Sequence, residues 1–207
     1  MDSAKKITID AYNKSAKDWA ASHAAQGFWQ DEMGIFHTLL PAGKILEIGC
    51  GGGRDAQELI ALGYEYVGTD PAENFITVAQ EKNPSGIFEV KSASELDYPA
   101  ESFDGFWASA VLLHIPKDEI STVLESLHSL LKPGGVGFIA IKEGNGETLI
   151  TETSSDGNEY ERFWAFYSDD EFRELLGQVH FSVVQFIYKP MSERTRWLIY
   201  FVEKQQT

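Results

Sequence analysis

The chain has 207 residues, 43% apolar and 24% charged, which suits one globular domain with a sizeable core and excludes a fibrous or disordered chain. Its formal net charge of −15, with no run of Lys and Arg, argues against nucleic acid and anionic membrane surfaces as partners. The single cysteine, Cys50, excludes an intrachain disulfide and a cysteine zinc cluster; with neither a signal-like nor a membrane-length apolar stretch, the expected location is the cytoplasm.

Residues 1–43 read as a helical cap region, with Tyr12, Trp19, Phe28, Trp29, Phe36, Leu39 and Leu40 as its large apolar groups, broken by Pro41-Ala42-Gly43. Residues 44–207 read as the core. Lys44 to Ile48 is a β-favouring run that stops at glycines, followed by a helix from Asp55 to Leu62. Tyr64 to Thr69 reads as a strand, Asn74 to Lys82 as a helix, Ile87 to Val90 and Phe103 to Ala108 as strands. Pro116-Lys117-Asp118-Glu119 predicts the opening of a helix that runs to Leu131, and Val136 to Ile141 is a fifth strand. Strands alternating with helices predict a parallel sheet covered on both faces. The segment 143–167 fits neither period; it starts polar, ends aromatic, and reads as a long irregular lid insertion. Ser168 to Glu171 matches a capping box for a helix to about Leu176. Phe181 to Tyr188 and Arg196 to Glu203 are too close in sequence for a helical crossover, so they form an antiparallel hairpin. The expectation is an α/β fold with seven strands, mostly parallel, one reversed at the end, and a helical and aromatic cap.

The sequence Glu47-Ile48-Gly49-Cys50-Gly51-Gly52-Gly53-Arg54-Asp55 carries the strongest chemical signal. A strand runs into glycines and then into a helix start, whose unpaired N–H groups suit a nucleotide-like ligand. Gly51, Gly53 and Ala56 also satisfy a relaxed dinucleotide pattern, so the loop alone is ambiguous. Glu47 stands two positions before Gly49, and Asp70 ends the second strand, where an acid can accept both hydroxyls of a ribose.

Together with the closing hairpin, this resembles the class I S-adenosylmethionine-dependent methyltransferases over roughly residues 44–203. The matching motifs are ILEIGCGGG, YVGTD followed by PAENF, VKSASELDYP, FDGFWASAVLLHIP and LLKPGGVGFIAI. The resemblance implies S-adenosyl-L-methionine as cofactor and S-adenosyl-L-homocysteine as its product. It implies that Gly49, Cys50, Gly51 and Gly53 line the methionine part and the ribose. Glu47 would support the loop or the cofactor's amino group, Arg54 would approach the carboxylate or lie on the surface, and Asp70 would hold the ribose. Pro71, Ala72 and Phe75 would lie beside the adenine, with Ala93 and Ala108 also counted among the cofactor residues. Relatives often carry an acid where this chain has Ser92; Ser92, Ser94 or Glu95 would then receive the adenine amino group.

His114, after the fourth strand, is the candidate catalytic base, its ordinary pKa suiting proton transfer near neutrality; the alternative is a packing role at a helix start. Tyr12, Trp19, His114, Arg162, Trp164 and Tyr167 are candidates for holding the acceptor, Arg162 as a counterion for an anion. No histidine or acid spacing suggests a metal site. No (D/N)PP(Y/F) sequence lies near Ala108–Val111 and no Pro-Cys pair is present, which with the acidic charge favours a small metabolite or a protein side chain over nucleic acid as acceptor, the small molecule being the leading expectation. Two other readings stay open: a non-catalytic S-adenosylmethionine-binding or regulatory protein, and an NAD-type oxidoreductase on the same loop.

Overall fold

A computed structural model describes residues 3–153, 157–192 and 195–205. Residues 1–2 of the cap, 154–156 of the expected insertion, 193–194 of the hairpin loop and 206–207 lie outside the described residues. In chain order the elements are α1 (Ser3–Ser22), α2 (Gln30–Leu39), β1 (Lys44–Ile48), α3 (Arg54–Ala61), β2 (Glu65–Asp70), α4 (Glu73–Lys82), β3 (Ile87–Val90) and β4 (Phe103–Ser109). A 3-10 turn at Leu112–His114 follows. Then come α5 (Ile120–Leu130), β5 (Leu131–Lys142), β6 (Glu147–Thr153), β7 (Glu159–Ala165), α6 (Asp169–Gln178), β8 (Phe181–Pro190) and β9 (Arg196–Lys204).

Seven strands form one sheet in the order β3-β2-β1-β4-β5-β9-β8. The pairings among β1 to β5 are parallel, and β9 runs antiparallel to both neighbours. The reversed strand is therefore the last in the chain, inserted between β5 and β8. The expected α/β sheet of seven strands with one reversed is what the structure shows. β1 is buried after Lys44 because helices cover both faces, which is why it reads as an unbroken apolar run. β9 shows the same logic: Leu198, Tyr200 and Val202 pack with α5 and α6, while Trp197, Ile199 and Phe201 pack with α2 and α3. The Ser168 hydroxyl accepts from the Glu171 amide and caps α6, a contact worth about 1 kcal/mol.

Two expectations need correction. Residues 116–119 do not open α5: Glu119 N–H donates to the Pro116 carbonyl at 2.9 Å, and the helix begins at Ile120. This turn is held from outside, since the Lys117 amide donates to Glu147 at 2.6 Å and its ammonium to Glu171 at 2.7 Å. The segment 143–167 is not irregular either. β6 and β7 pair antiparallel from Glu147↔Ala165 to Thr153↔Glu159, forming a separate two-stranded sheet. β6 is mostly exposed, with Ile150 and Glu152 half-buried, and β7 buries Arg162, Phe163, Trp164 and Ala165 in succession, so neither carries an apolar/polar alternation in its sequence.

α1 lies across this hairpin and α4. The Phe163 amide donates to the Thr8 hydroxyl at 2.8 Å, and Asn74 donates twice to Asn13, at 2.9 and 2.8 Å. Lys5 of α1 pairs with Glu119 ahead of α5. The chain order turns back between β1 and β4, the switch point at which ligands bind in open α/β sheets.

Candidate functional site

A cavity of about 740 Å³ opens at that switch point, bounded by the carboxyl ends of β1, β2, β4 and β5, by α1, by the β6–β7 hairpin and by the start of β9. Its size suits a small organic ligand. The glycine loop forms one wall. Gly49 has φ of 69°, and a Cβ there would sit 2.5 Å from the Val111 side chain, so only glycine fits. Gly51 has φ of 51°, and a Cβ there would meet nothing within 4 Å; its open face lets a ligand approach the backbone.

Asp70 ends β2 with its carboxylate set by two backbone donors, Gly51 N–H to Oδ2 at 3.0 Å and Ala72 N–H to Oδ1 at 2.8 Å. Burial without a cation pushes its pKa up to about 6, against the downward pull of those two amides. Each oxygen retains acceptor capacity toward the cavity. Glu47 is buried and accepts from the Tyr66 hydroxyl. Burial and the neighbouring Asp55 carboxylate hold its pKa well above the ordinary range. The Cys50 thiol is likewise pushed up by burial, an inert wall rather than a nucleophile. Arg54 pairs with Asp55 at 2.6 Å and lies 5.1 Å from the Phe28 ring centroid; Trp107 Nε1 holds the other Asp55 oxygen at 3.1 Å.

A line of rings crosses the cavity from this wall. Tyr12 contacts Phe75 at 5.7 Å between centroids and His114 at 5.4 Å, and His114 contacts Trp164 at 4.7 Å. His114 Nδ1 lies 2.6 Å from the Phe163 carbonyl, which can only accept, so Nδ1 carries the proton. Nε2 then accepts from the Tyr12 hydroxyl at 2.9 Å. Burial lowers the His114 pKa to about 4, with the Phe163 carbonyl opposing and the Arg162 and Lys142 cations assisting, so the ring is neutral near pH 7. Burial raises the pKa of the Tyr12 phenol above its ordinary value.

Most of the sequence-derived candidates meet in this one cavity. Glu47, Gly49, Cys50, Gly51, Gly53, Arg54, Asp70, Pro71, Ala72, Phe75, Ser92 and Ala93 line it on the loop side. Tyr12, Trp19, His114 and Trp164 line the other side. Of the three candidates for the adenine amino group, Ser92 lines the cavity, whereas Ser94 and Glu95 face a separate surface hollow beside Asp97 and Ser126. Ala108 is fully buried within β4, outside the cavity wall. Tyr167 is also fully buried outside the wall, against Phe172.

Arg162 is not at the wall. It is 1% exposed, bonded to Glu152 at 2.5 Å and Ser15 at 3.4 Å, and stacked 4.5 Å from Tyr12 and 4.8 Å from Trp19. Its charge clamps α1 to the hairpin. The wall also contains Trp29 of the aromatic cap, and residues that sequence reasoning passed over, among them Lys142, Trp197 and Thr195. Lys142 had one readable signal, its place directly after the last apolar residue of the fifth strand.

Residues 45–135 match the family described as "Methyltransferase domain". This stretch holds the glycine loop, Asp70 and the turn bearing His114. That stretch is similar to a methyltransferase domain. The chain also has relatives in sequence and in structure. A ubiquinone biosynthesis O-methyltransferase of Ruegeria pomeroyi is 30% identical over 165 residues, covering 72% of this chain. The match spans 65% of that relative, just under two thirds of its length. The structure of Burkholderia thailandensis 1,6-didemethyltoxoflavin-N1-methyltransferase, with 1,6-didemethyltoxoflavin and S-adenosylhomocysteine bound, aligns with a TM-score of 0.75 and 22% identity, covering 100% of this chain and 92% of that one. The [4+2]-cyclase SpnF aligns with a TM-score of 0.72 and 14% identity, covering 99% and 97%. The architecture thus occurs under two reaction names, and the reaction must be argued from the site. Among the described residues, no helix is long and apolar enough to cross a membrane.

Proposed function

We propose that this chain is an S-adenosylmethionine-dependent methyltransferase that moves a methyl group to a small-molecule acceptor. The observation that carries this reading is the carboxylate of Asp70, fixed by two amides beside the open face of Gly51, in one cavity with His114 and a wall of rings. Its chemistry fits the cofactor. A buried acid whose lone pairs face the cavity suits two ribose hydroxyls, and a glycine cradle with room for a ligand suits the amino-acid part. The Ruegeria relative, an O-methyltransferase by name, and the Burkholderia structure with its bound S-adenosylhomocysteine support the same reading.

Asp70 and Gly49 to Gly53 would hold the ribose and methionine part, Ala72, Phe75 and Ser92 the adenine. The bound cofactor would supply an electrophilic methyl group on a sulfonium. The protein's part is then to position the acceptor, exclude water and take up a proton where the acceptor carries one. An acceptor hydroxyl reaching Tyr12 would pass its proton to the phenol oxygen as Tyr12 O–H donates to His114 Nε2. With a pKa near 4, His114 is in its basic form at every pH above 5. Residues 1–43 and the 143–167 hairpin act in this reading as a cap and a lid that keep the cavity dry; the α1 clamps on Thr8, Asn13 and Arg162 support that role. The net charge supports a metabolite rather than nucleic acid as acceptor, and the single buried cysteine supports a cytoplasmic setting.

The test is transfer of a labelled methyl group from S-adenosylmethionine to a panel of small phenols, amines and carboxylates. The reading predicts turnover on at least one, abolished in Asp70→Ala. Cofactor binding with no transfer to any acceptor would favour the regulatory alternative.

A further inference from the structure

The end of the cavity away from the glycine loop has a chemistry of its own. β5 ends at Lys142, which pairs across the sheet with Trp197 of β9, so the two side chains stand on the same face. The Lys142 ammonium lies 3.9 Å from the Trp164 ring centroid and 5.7 Å from that of Trp197. Trp29 meets Trp197 edge-on at 5.5 Å. Among the described residues three other cations line the cavity, and each is engaged: Lys5 with Glu119, Arg54 with Asp55, and Lys82 with the Ala20 carbonyl at 3.3 Å. Among the described residues Lys142 has no hydrogen-bond or ion-pair partner. The carboxylate that acts on it, Glu152, is taken by Arg162 at 2.5 Å.

The indole N–H groups of Trp29, Trp164 and Trp197 have no surface open to the cavity, so these residues offer it their apolar rings. A partly buried ammonium at the cavity wall, with rings and no carboxylate bonded to it, calls for an anion. A ligand that supplies one on a flat apolar body matches it. One ammonium matches one negative charge, and a carboxylate is a flat, singly charged organic oxyanion fully ionised at neutral pH. The ring faces complement a planar skeleton and exclude water from the ion pair.

We propose that Lys142, with Trp29, Trp164 and Trp197, forms the acceptor subsite, and that the acceptor is a flat, largely apolar small molecule bearing a carboxylate held by the Lys142 ammonium. This deepens the methyltransferase reading and rests on it for the ligand that shares the cavity. Burial lowers the Lys142 pKa, as expected for a cation awaiting its anion.

The experiment uses the whole protein saturated with S-adenosylhomocysteine, titrated calorimetrically with 2-naphthoate and with its neutral isostere 2-naphthamide. The parent should bind the carboxylate roughly tenfold more tightly, with a preference that weakens as salt is added. Lys142→Met should bring the ratio to about one and leave S-adenosylhomocysteine affinity within about twofold, which also shows that the fold is intact. Lys142→Arg should keep the preference. Equal affinity for the pair, no naphthoate binding at millimolar concentration, or a preference that survives Lys142→Met would overturn the proposal. Failure of S-adenosylhomocysteine to bind the parent would sink the methyltransferase reading instead; the same pair titrated into ligand-free protein would still decide the role of Lys142.

Discussion

The two ends of the cavity are built differently. The loop end is local: Gly49 to Gly53 and Asp70 lie within 22 residues, and backbone amides do much of the holding. The far end is assembled from α1, the turn before α2, the end of β5, β7 and the start of β9, segments that span most of the chain, and side chains do the holding. A local site needs few tertiary contacts to be correct and can stay constant while its partner varies. An assembled site changes whenever one of its elements shifts, which suits the part of an enzyme that selects its acceptor.

The largest effect expected is at the loop end. Asp70→Ala removes two prospective charge-assisted hydrogen bonds and orphans two amides, so S-adenosylhomocysteine affinity should fall at least about 100-fold by calorimetry while the protein stays folded. Unchanged affinity would show that Asp70 is not the ribose anchor. At the junction of the two ends, His114→Ala should lower kcat on the best acceptor by about 100-fold while cofactor affinity changes less than about threefold. A parallel loss of both would make His114 a packing residue.

A smaller effect is expected with pH. With the Asp70 pKa near 6 in the free protein, bound hydroxyls favour the ionised form, so binding releases a proton below that value. Affinity should therefore be flat above about pH 7 and about tenfold weaker at pH 5, measured by titration in matched buffers. No inflection from His114 is expected between pH 5 and 8. The smallest effect on binding is expected at the far end. Arg162→Met should lower Tm by roughly 4–8 °C, the consequence of losing about 2 kcal/mol from the clamp of α1 to the hairpin. S-adenosylhomocysteine affinity should move less than about threefold, which would separate the ends cleanly.

The same division decides what the sequence made legible. β1, α3, β2 and α4 follow from apolar runs and glycines, and the sheet with its reversed last strand follows from the short spacing of β8 and β9. The loop-side residues were found because they lie on one local motif. Ser94 and Ala108 were grouped with them by motif alone and point elsewhere, since neighbouring positions in a turn or strand face opposite ways. The β6–β7 hairpin was missed because the second half of β7 is buried on both faces and β6 is mostly exposed, with a glutamate at one of its two half-buried positions, so neither sequence alternates apolar with polar. Arg162 was assigned to an anion because its carboxylate partner, Glu152, is found only once that hairpin closes. Lys142 was passed over because its isolation is a property of the folded chain.

In the proposed function the loop end is a preformed S-adenosylmethionine site and not a dinucleotide site. Calorimetric titration of the purified protein, stripped of ligand, with S-adenosylhomocysteine and with NADH tests it most directly. S-adenosylhomocysteine should bind with roughly micromolar affinity, ordinary for a small ligand, and NADH should not bind. Tight binding of NADH, or no binding of S-adenosylhomocysteine, would contradict it.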